Sequence, residues 1–187
     1  LDQLRASIDK DVNLRMQGIH LVEERAGRRL WELEARFAEN RAGEPLIHLR
    51  ELTIRFFRVH KKSPDTAPAM VDSAADEQAI LTAQAGTFDR QSRDLKVWGD
   101  VRVNKQKGAS VFRTTTMTWH SEKEVIETDQ PVEITSPRYK IVARGLSSTA
   151  GFERIILKEK VQASLYFNRQ RNADKAKPAR TSGRING

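Results

Sequence analysis

The feature that most constrains the fold of this chain is a unit that recurs three times, beginning at Leu81, Phe112 and Ile141. The segments LTAQAGTFDRQSRDLKVWGDVRV, FRTTTMTWHSEKEVIETDQPVEI and IVARGLSSTAGFERIILKEKVQA overlay without gaps. In each, a small residue stands 18 positions before a valine: Ala83 and Val101, Thr114 and Val132, Ala143 and Val161. Each unit reads as a strand, a polar turn and a second strand, and Trp31 to Phe56 forms a looser earlier copy. A unit this small cannot bury its apolar face alone, so the copies must stack. Alternate apolar positions, Leu95, Val97, Val101 and Val103 in one copy and Ile155, Leu157, Val161, Ala163 and Leu165 in another, imply layers around a shared interior. The expected fold is therefore all-β: a repeat-built, antiparallel, twisted β jelly roll, or open V-shaped sandwich of two sheets. A closed sandwich with a fully packed core is the rival. The stacked form leaves free edge strands, and natural proteins blunt such edges unless they are used for pairing. The candidate pairing edges are Val12, Leu14 and Met16 at one end and Leu157, Val161 and Ala163 at the other.

Outside the repeats the signals are shorter. Residues 1–10 are polar apart from Leu4 and Ile8 and read as a linker. Val12, Leu14 and Met16 alternate until Gly18, where the apolar positions shift to Ile19 and Leu21, as in a bulged strand. Glu23 to Arg29 reads as a turn. In RLWELEARFA, alternation puts Leu30, Glu32 and Glu34 on one face and Trp31, Leu33, Ala35 and Phe37 on the other. A turn at Gly43–Pro45 leads into LIHLRELTIRFF, again strand-like. Residues 60–78 hold Pro64 and Pro68 and few large apolar groups, the composition of a mobile loop. The folded domain should thus run over 11–167, followed by a disordered tail over 168–187. That tail carries Arg169, Arg171, Lys175, Lys177, Arg180 and Arg184 against Asp174 alone, so much of the formal charge of +8 resides there. It has no aromatics interleaved with its basic residues, so no nucleic-acid partner is expected.

Catalytic chemistry finds little support. With no cysteine there is no disulfide, thiol nucleophile or thiolate metal site. His20, His48, His60 and His120 are scattered without metal-ligand spacing and read as surface residues. No serine sits in a nucleophile elbow, and Glu122, Glu124 and Glu127 cluster as turn residues do. No enzymatic activity, cofactor or metal is expected. No apolar run approaches the roughly 18–20 residues that span a bilayer. Trp31 and Trp119 read as core or edge-covering aromatics; Trp98 shares a face with Lys96, Asp100 and Arg102 and should be partly exposed.

Gly18 ahead of a strand, RLWELEARFA after a glycine turn, LTAQAGTFD, LKVWGDVRV, FRTTTMTW, ETDQPVEI and the Gly145–Leu146 pair follow in a specific order and spacing. Together, from Val12 to Leu165, they resemble the LptC family. More distantly they resemble the wider group that includes LptA and the N-terminal part of LptD. The resemblance implies a lipopolysaccharide transport protein at the periplasmic face of the inner membrane, anchored by one N-terminal helix that is missing from this chain. It implies receipt of lipopolysaccharide from the LptB–LptF–LptG transporter at the N-terminal edge and delivery to LptA at the C-terminal edge. The 60–78 insertion and the basic tail depart from the compact family pattern. The candidate lipid groove comprises Leu81, Ala83, Leu95, Val97, Val101, Val103, Val132, Ile134, Ile141, Ala143, Ile155, Leu157, Val161 and Leu165. Sheltering acyl chains there gains about 0.8 kcal/mol per methylene before entropy costs. A structural adaptor that couples partners through its β edges, without itself binding lipid, is the alternative reading.

Overall fold

The computed structural model describes residues 12–57, 77–105 and 110–166. Nine strands follow one another: β1 (Val12–Arg25), β2 (Arg28–Arg41), β3 (Leu46–Phe57), β4 (Glu77–Asp89), β5 (Leu95–Lys105), β6 (Ser110–His120), β7 (Val125–Thr135), β8 (Tyr139–Thr149) and β9 (Ile155–Leu165). All pair antiparallel in sequence order within a single unclosed sheet. The two layers expected from the repeats are therefore the two halves of one continuous sheet. Its folding line can be read from the ladder. Register breaks between Thr82 and Ala85, Trp98 and Val101, Arg113 and Thr118, Thr128 and Pro131, and Val142 and Arg144 fall side by side across β4 to β9. The line continues through Glu51 of β3 and Gly18 of β1, and left-handed backbone recurs along it at Gly18, Glu51, Gly99, Asp100, Gly145 and Lys160. Such bulges bend a strand and sharpen its twist.

Bending changes the side-chain period. Within each arm of a strand, inward residues are two apart, as a pleat demands. Across the line the buried positions are three apart in even strands: Ala35 to Ala38, Ala83 to Gly86, Thr114 to Met117 and Ala143 to Leu146. In β5 and β7 they are four apart, Val97 to Val101 and Thr128 to Val132. Next to the line, small residues of even strands (Ala35, Ala83, Thr114, Ala143) alternate with larger ones of odd strands (Leu52, Val101, Val132, Val161). This alternation lets a sharply bent inner surface fill without voids. It also gives the 18-residue offset of the repeats its physical meaning.

The folded halves meet over a shared core. Trp31 lies edge-on to Phe88, with ring centroids 6.2 Å apart. Phe152, in the turn between β8 and β9, packs against Phe56 at 5.6 Å and Phe112 at 5.7 Å. Lys105 Nζ donates to the Phe152 carbonyl at 2.6 Å. At the other end of the margin, Arg93 Nη2 lies 2.6 Å from the buried Glu23 carboxylate, to which Ser121 Oγ also donates at 3.4 Å. Arg25 bridges to Glu124 and to the Glu122 carbonyl nearby.

Several local expectations need correcting. The first turn is only Ala26–Gly27, both with positive φ as a tight two-residue hairpin requires, so Glu23 to Arg25 and Arg28 and Arg29 belong to strands. Leu30 is fully buried in the core along with Trp31, and Phe37 is only half-buried because the fold line moves the inward position to Ala38. Glu77 and Gln78 open β4 rather than close a loop. The remainder of 60–78, the 1–10 linker and the 168–187 tail lie outside the described residues.

Candidate functional site

A sheet folded along its middle encloses an interior bounded at its two ends by the first and last strands. Between them, β2 to β8 supply a packed interior. Leu81, Ala83, Leu95, Val97, Val101, Val103, Val132, Ile134 and Ala143 are all buried there. The space left among Ile54, Phe56, Leu81, Leu95, Val97, Met117, Trp119 and Ile126 is about 10 Å³, at the lower limit for one water and far too little for an acyl chain.

The C-terminal end differs. Cross-strand pairs share a face. Ile155 lies opposite Ser148, Leu157 opposite Leu146, Ala163 opposite Ile141 and Leu165 opposite Tyr139. These residues, with Val161, form the inward stripe of β9. Among the described residues no further strand covers it: Ile155, Leu157 and Ile141 are half-buried, and Val161 and Leu165 are 52% and 64% exposed. The fourteen groove candidates thus divide into nine enclosed residues and five at an open apolar rim. The N-terminal end carries a smaller counterpart, with Met16, Ile19 and Leu21 half-buried against the core and Leu14 half-exposed. Ile19 and Leu21 extend the inner face of the first strand beyond the residues singled out for its edge. The six edge candidates all lie on β1 or β9, the two strands with one unpaired side among the described residues.

The outer face of the last strands is polar and ion-paired. Lys140 Nζ lies 2.7 Å from Glu133, whose hydrogen bond holds the Glu133 carboxyl below its ordinary pKa and raises that of the lysine. Lys158 donates to Asp129 at 2.9 Å, which raises its pKa. Such exposed pairs contribute little stability but keep this face wetted. The last strand is therefore apolar inward and mostly polar outward, with Ile156 an exposed apolar residue on the outer face.

Trp31 and Trp119 are core residues, each with a buried indole N–H that has no hydrogen-bond partner, and Trp98 is half-buried. His48 contacts Glu44 at 3.1 Å, and His120 sits between Asp94 at 3.2 Å and Glu127 at 3.8 Å. Among the described residues no group of acids and histidines is arranged to hold a metal ion, and no helix is long and apolar enough to cross a membrane. Sequence reasoning missed Phe152 and the Glu23–Arg93 pair. A phenylalanine in a turn and a glutamate in a polar stretch carry no local signal of burial.

A comparison with curated proteins returned no match. The family model for lipopolysaccharide assembly, LptC-related, matches residues 5–166, which include all nine strands, both free edges and the open rim. This chain belongs to the LptC-related family of lipopolysaccharide-assembly proteins, and its role lies in lipopolysaccharide transport.

Proposed function

We propose that this protein is a non-enzymatic relay that binds lipopolysaccharide by its acyl chains, receives it from the inner-membrane LptB–LptF–LptG transporter and passes it to LptA. The observation that carries the reading is the apolar stripe on the inner face of β9, which no further strand covers among the described residues. An acyl chain laid along Ile155, Leu157, Val161 and Leu165 loses water contact while the saccharide remains in solvent, and each sheltered methylene contributes about 0.8 kcal/mol. An open rim releases its cargo as easily as it takes it up, as a handover needs. The enclosed candidates, such as Val101 and Val132, become lipid contacts if the two arms part. The reading further assigns the protein to the periplasmic face of the inner membrane, with the β1 edge toward the transporter and the β9 edge toward LptA. Photo-crosslinkers placed at Leu157, Val161, Val101 and Val132 test it. Lipopolysaccharide adducts are expected first at the two rim positions, and adducts at none of the four would sink the relay.

The free edges favour a second reading, an adaptor that couples partners by strand addition without holding lipid. A titration with fluorescent lipopolysaccharide, with unlabelled phospholipid as competitor, separates the two. Saturable binding that phospholipid displaces poorly supports the relay; no binding by the folded protein supports the adaptor.

A further inference from the structure

A second site lies away from the β9 rim, where the turn between β2 and β3 faces the turn between β4 and β5. A cavity of about 410 Å³ opens there, lined by Asn40, Arg41, Glu44, Pro45, Arg90 and Gln91. We propose that it binds a phosphate group, either free or carried as a monoester on a lipid headgroup. Three observations converge on this. Arg41 makes no ion pair among the described residues, and its Nε is buried without a hydrogen-bond partner. Arg90 likewise meets no carboxylate among them; its Nε and Nη2 donate to the carbonyls of Pro45 and Glu44 at 3.2 and 3.1 Å, which fixes the guanidinium and leaves its other N–H groups free. Its backbone N–H also donates to the Pro45 carbonyl at 3.1 Å, so three hydrogen bonds tie the two turns together.

Two planar guanidiniums with spare donors match the oxygens of a phosphate, which they can engage in bidentate pairs. The buried Asn40 Oδ1, also without a partner, accepts from the hydroxyl of a protonated phosphate. Of the nearby acids only Glu44 lines the cavity, and it offsets one of the two guanidinium charges. Glu44, in the wall, is engaged by His48 Nε2 at 3.1 Å. Asp89, next to Arg90, is held by the backbone N–H groups of Gln91 and Ser92 at 2.8 and 3.3 Å. The cavity retains one positive charge beyond its single carboxylate, and an anion balances it.

Calorimetric titration of the full chain with inorganic phosphate tests the site, alongside sedimentation with vesicles of phosphatidylcholine with or without phosphatidic acid. Arg41→Gln and Arg90→Gln, each checked for folding by circular dichroism, should weaken phosphate binding at least about tenfold, and Arg41→Lys should weaken it less. Binding to phosphate and to phosphatidic acid vesicles, both lost in the glutamine variants, assigns a lipid headgroup. Arginine-dependent binding to phosphate alone assigns the free anion. No binding to either probe up to about 10 mM phosphate, or binding unchanged in all three variants, overturns the proposal. Lipopolysaccharide binding at the β9 rim is read separately, so either site can fail without the other.

Discussion

Gly99 and Gly18 both hold left-handed backbone on the fold line, yet their surroundings differ. A Cβ on Gly99 would stand 2.7 Å from Gln84 Oε1 and 2.9 Å from Gln84 Cβ, whereas one on Gly18 meets nothing within 4 Å. Alanine at Gly18 should therefore cost only backbone strain, about 1 kcal/mol, and alanine at Gly99 about 3 kcal/mol once the clash is added. Urea denaturation of the two variants measures the difference, and equal losses would show that the line is not tightly packed at β5. Glu23 makes a similar argument from charge. Its carboxylate is buried, and Arg93, itself half-exposed, is the cation beside it. Arg93→Ala leaves that carboxylate with only the long contact to Ser121, and about 2 kcal/mol of stability should be lost. Glu23→Gln in the same background should restore part of it, because an uncharged amide is cheaper to bury. No recovery in the double variant would mean that Arg93 acts through packing alone.

At the level of single strands, β9 concentrates what is unusual. Among the described residues it has one neighbour where the strands from β2 to β8 have two, and its inward stripe is left uncovered. Proline at Leu157 or Val161 removes a backbone donor from this strand. Either variant is expected to lose association with a strand-adding partner in a pull-down, while thermal unfolding shifts by only a few degrees because the core lies further in. Normal association in both variants would exclude pairing through β9. The identity of this edge was legible beforehand: the alternation from Ile155 to Leu165 revealed both its strand character and its face. The repeats likewise foretold the paired strands, since Ala83, Thr114 and Ala143 mark the same place on successive copies. The fold line was legible where a glycine coincides with a break in alternation, at Gly18 and again at Gly145, between Ala143 and Leu146. In β3 and β9 the change of spacing passes through Glu51 and Lys160, residues whose side chains give no hint of left-handed backbone. Which groove candidates end up enclosed and which at the rim was not legible. That depends on how far one half of the sheet folds over the other, a long-range matter.

Taken as a whole molecule, the protein combines two kinds of contact with different reach along the chain. Every strand pairs with the next in sequence. The contacts that hold the halves shut join distant residues, Arg25 to Glu124 across 99 positions and Glu23 to Ser121 across 98. Loop closure makes the second kind slow to form. This separation has a kinetic consequence. The hairpins of β4 to β8 can zip up from local nuclei, and the sheet then doubles over as a later event. Refolding followed by pulsed hydrogen exchange should therefore protect the amides of β4 to β8 before the buried Trp31 reaches its native fluorescence. Arg93→Ala should chiefly raise the unfolding rate and leave the refolding rate nearly unchanged. A variant that slows refolding instead would place the doubling-over in the nucleus. This order leaves a half-made intermediate with its whole inner face in water, and that species is where aggregation would begin.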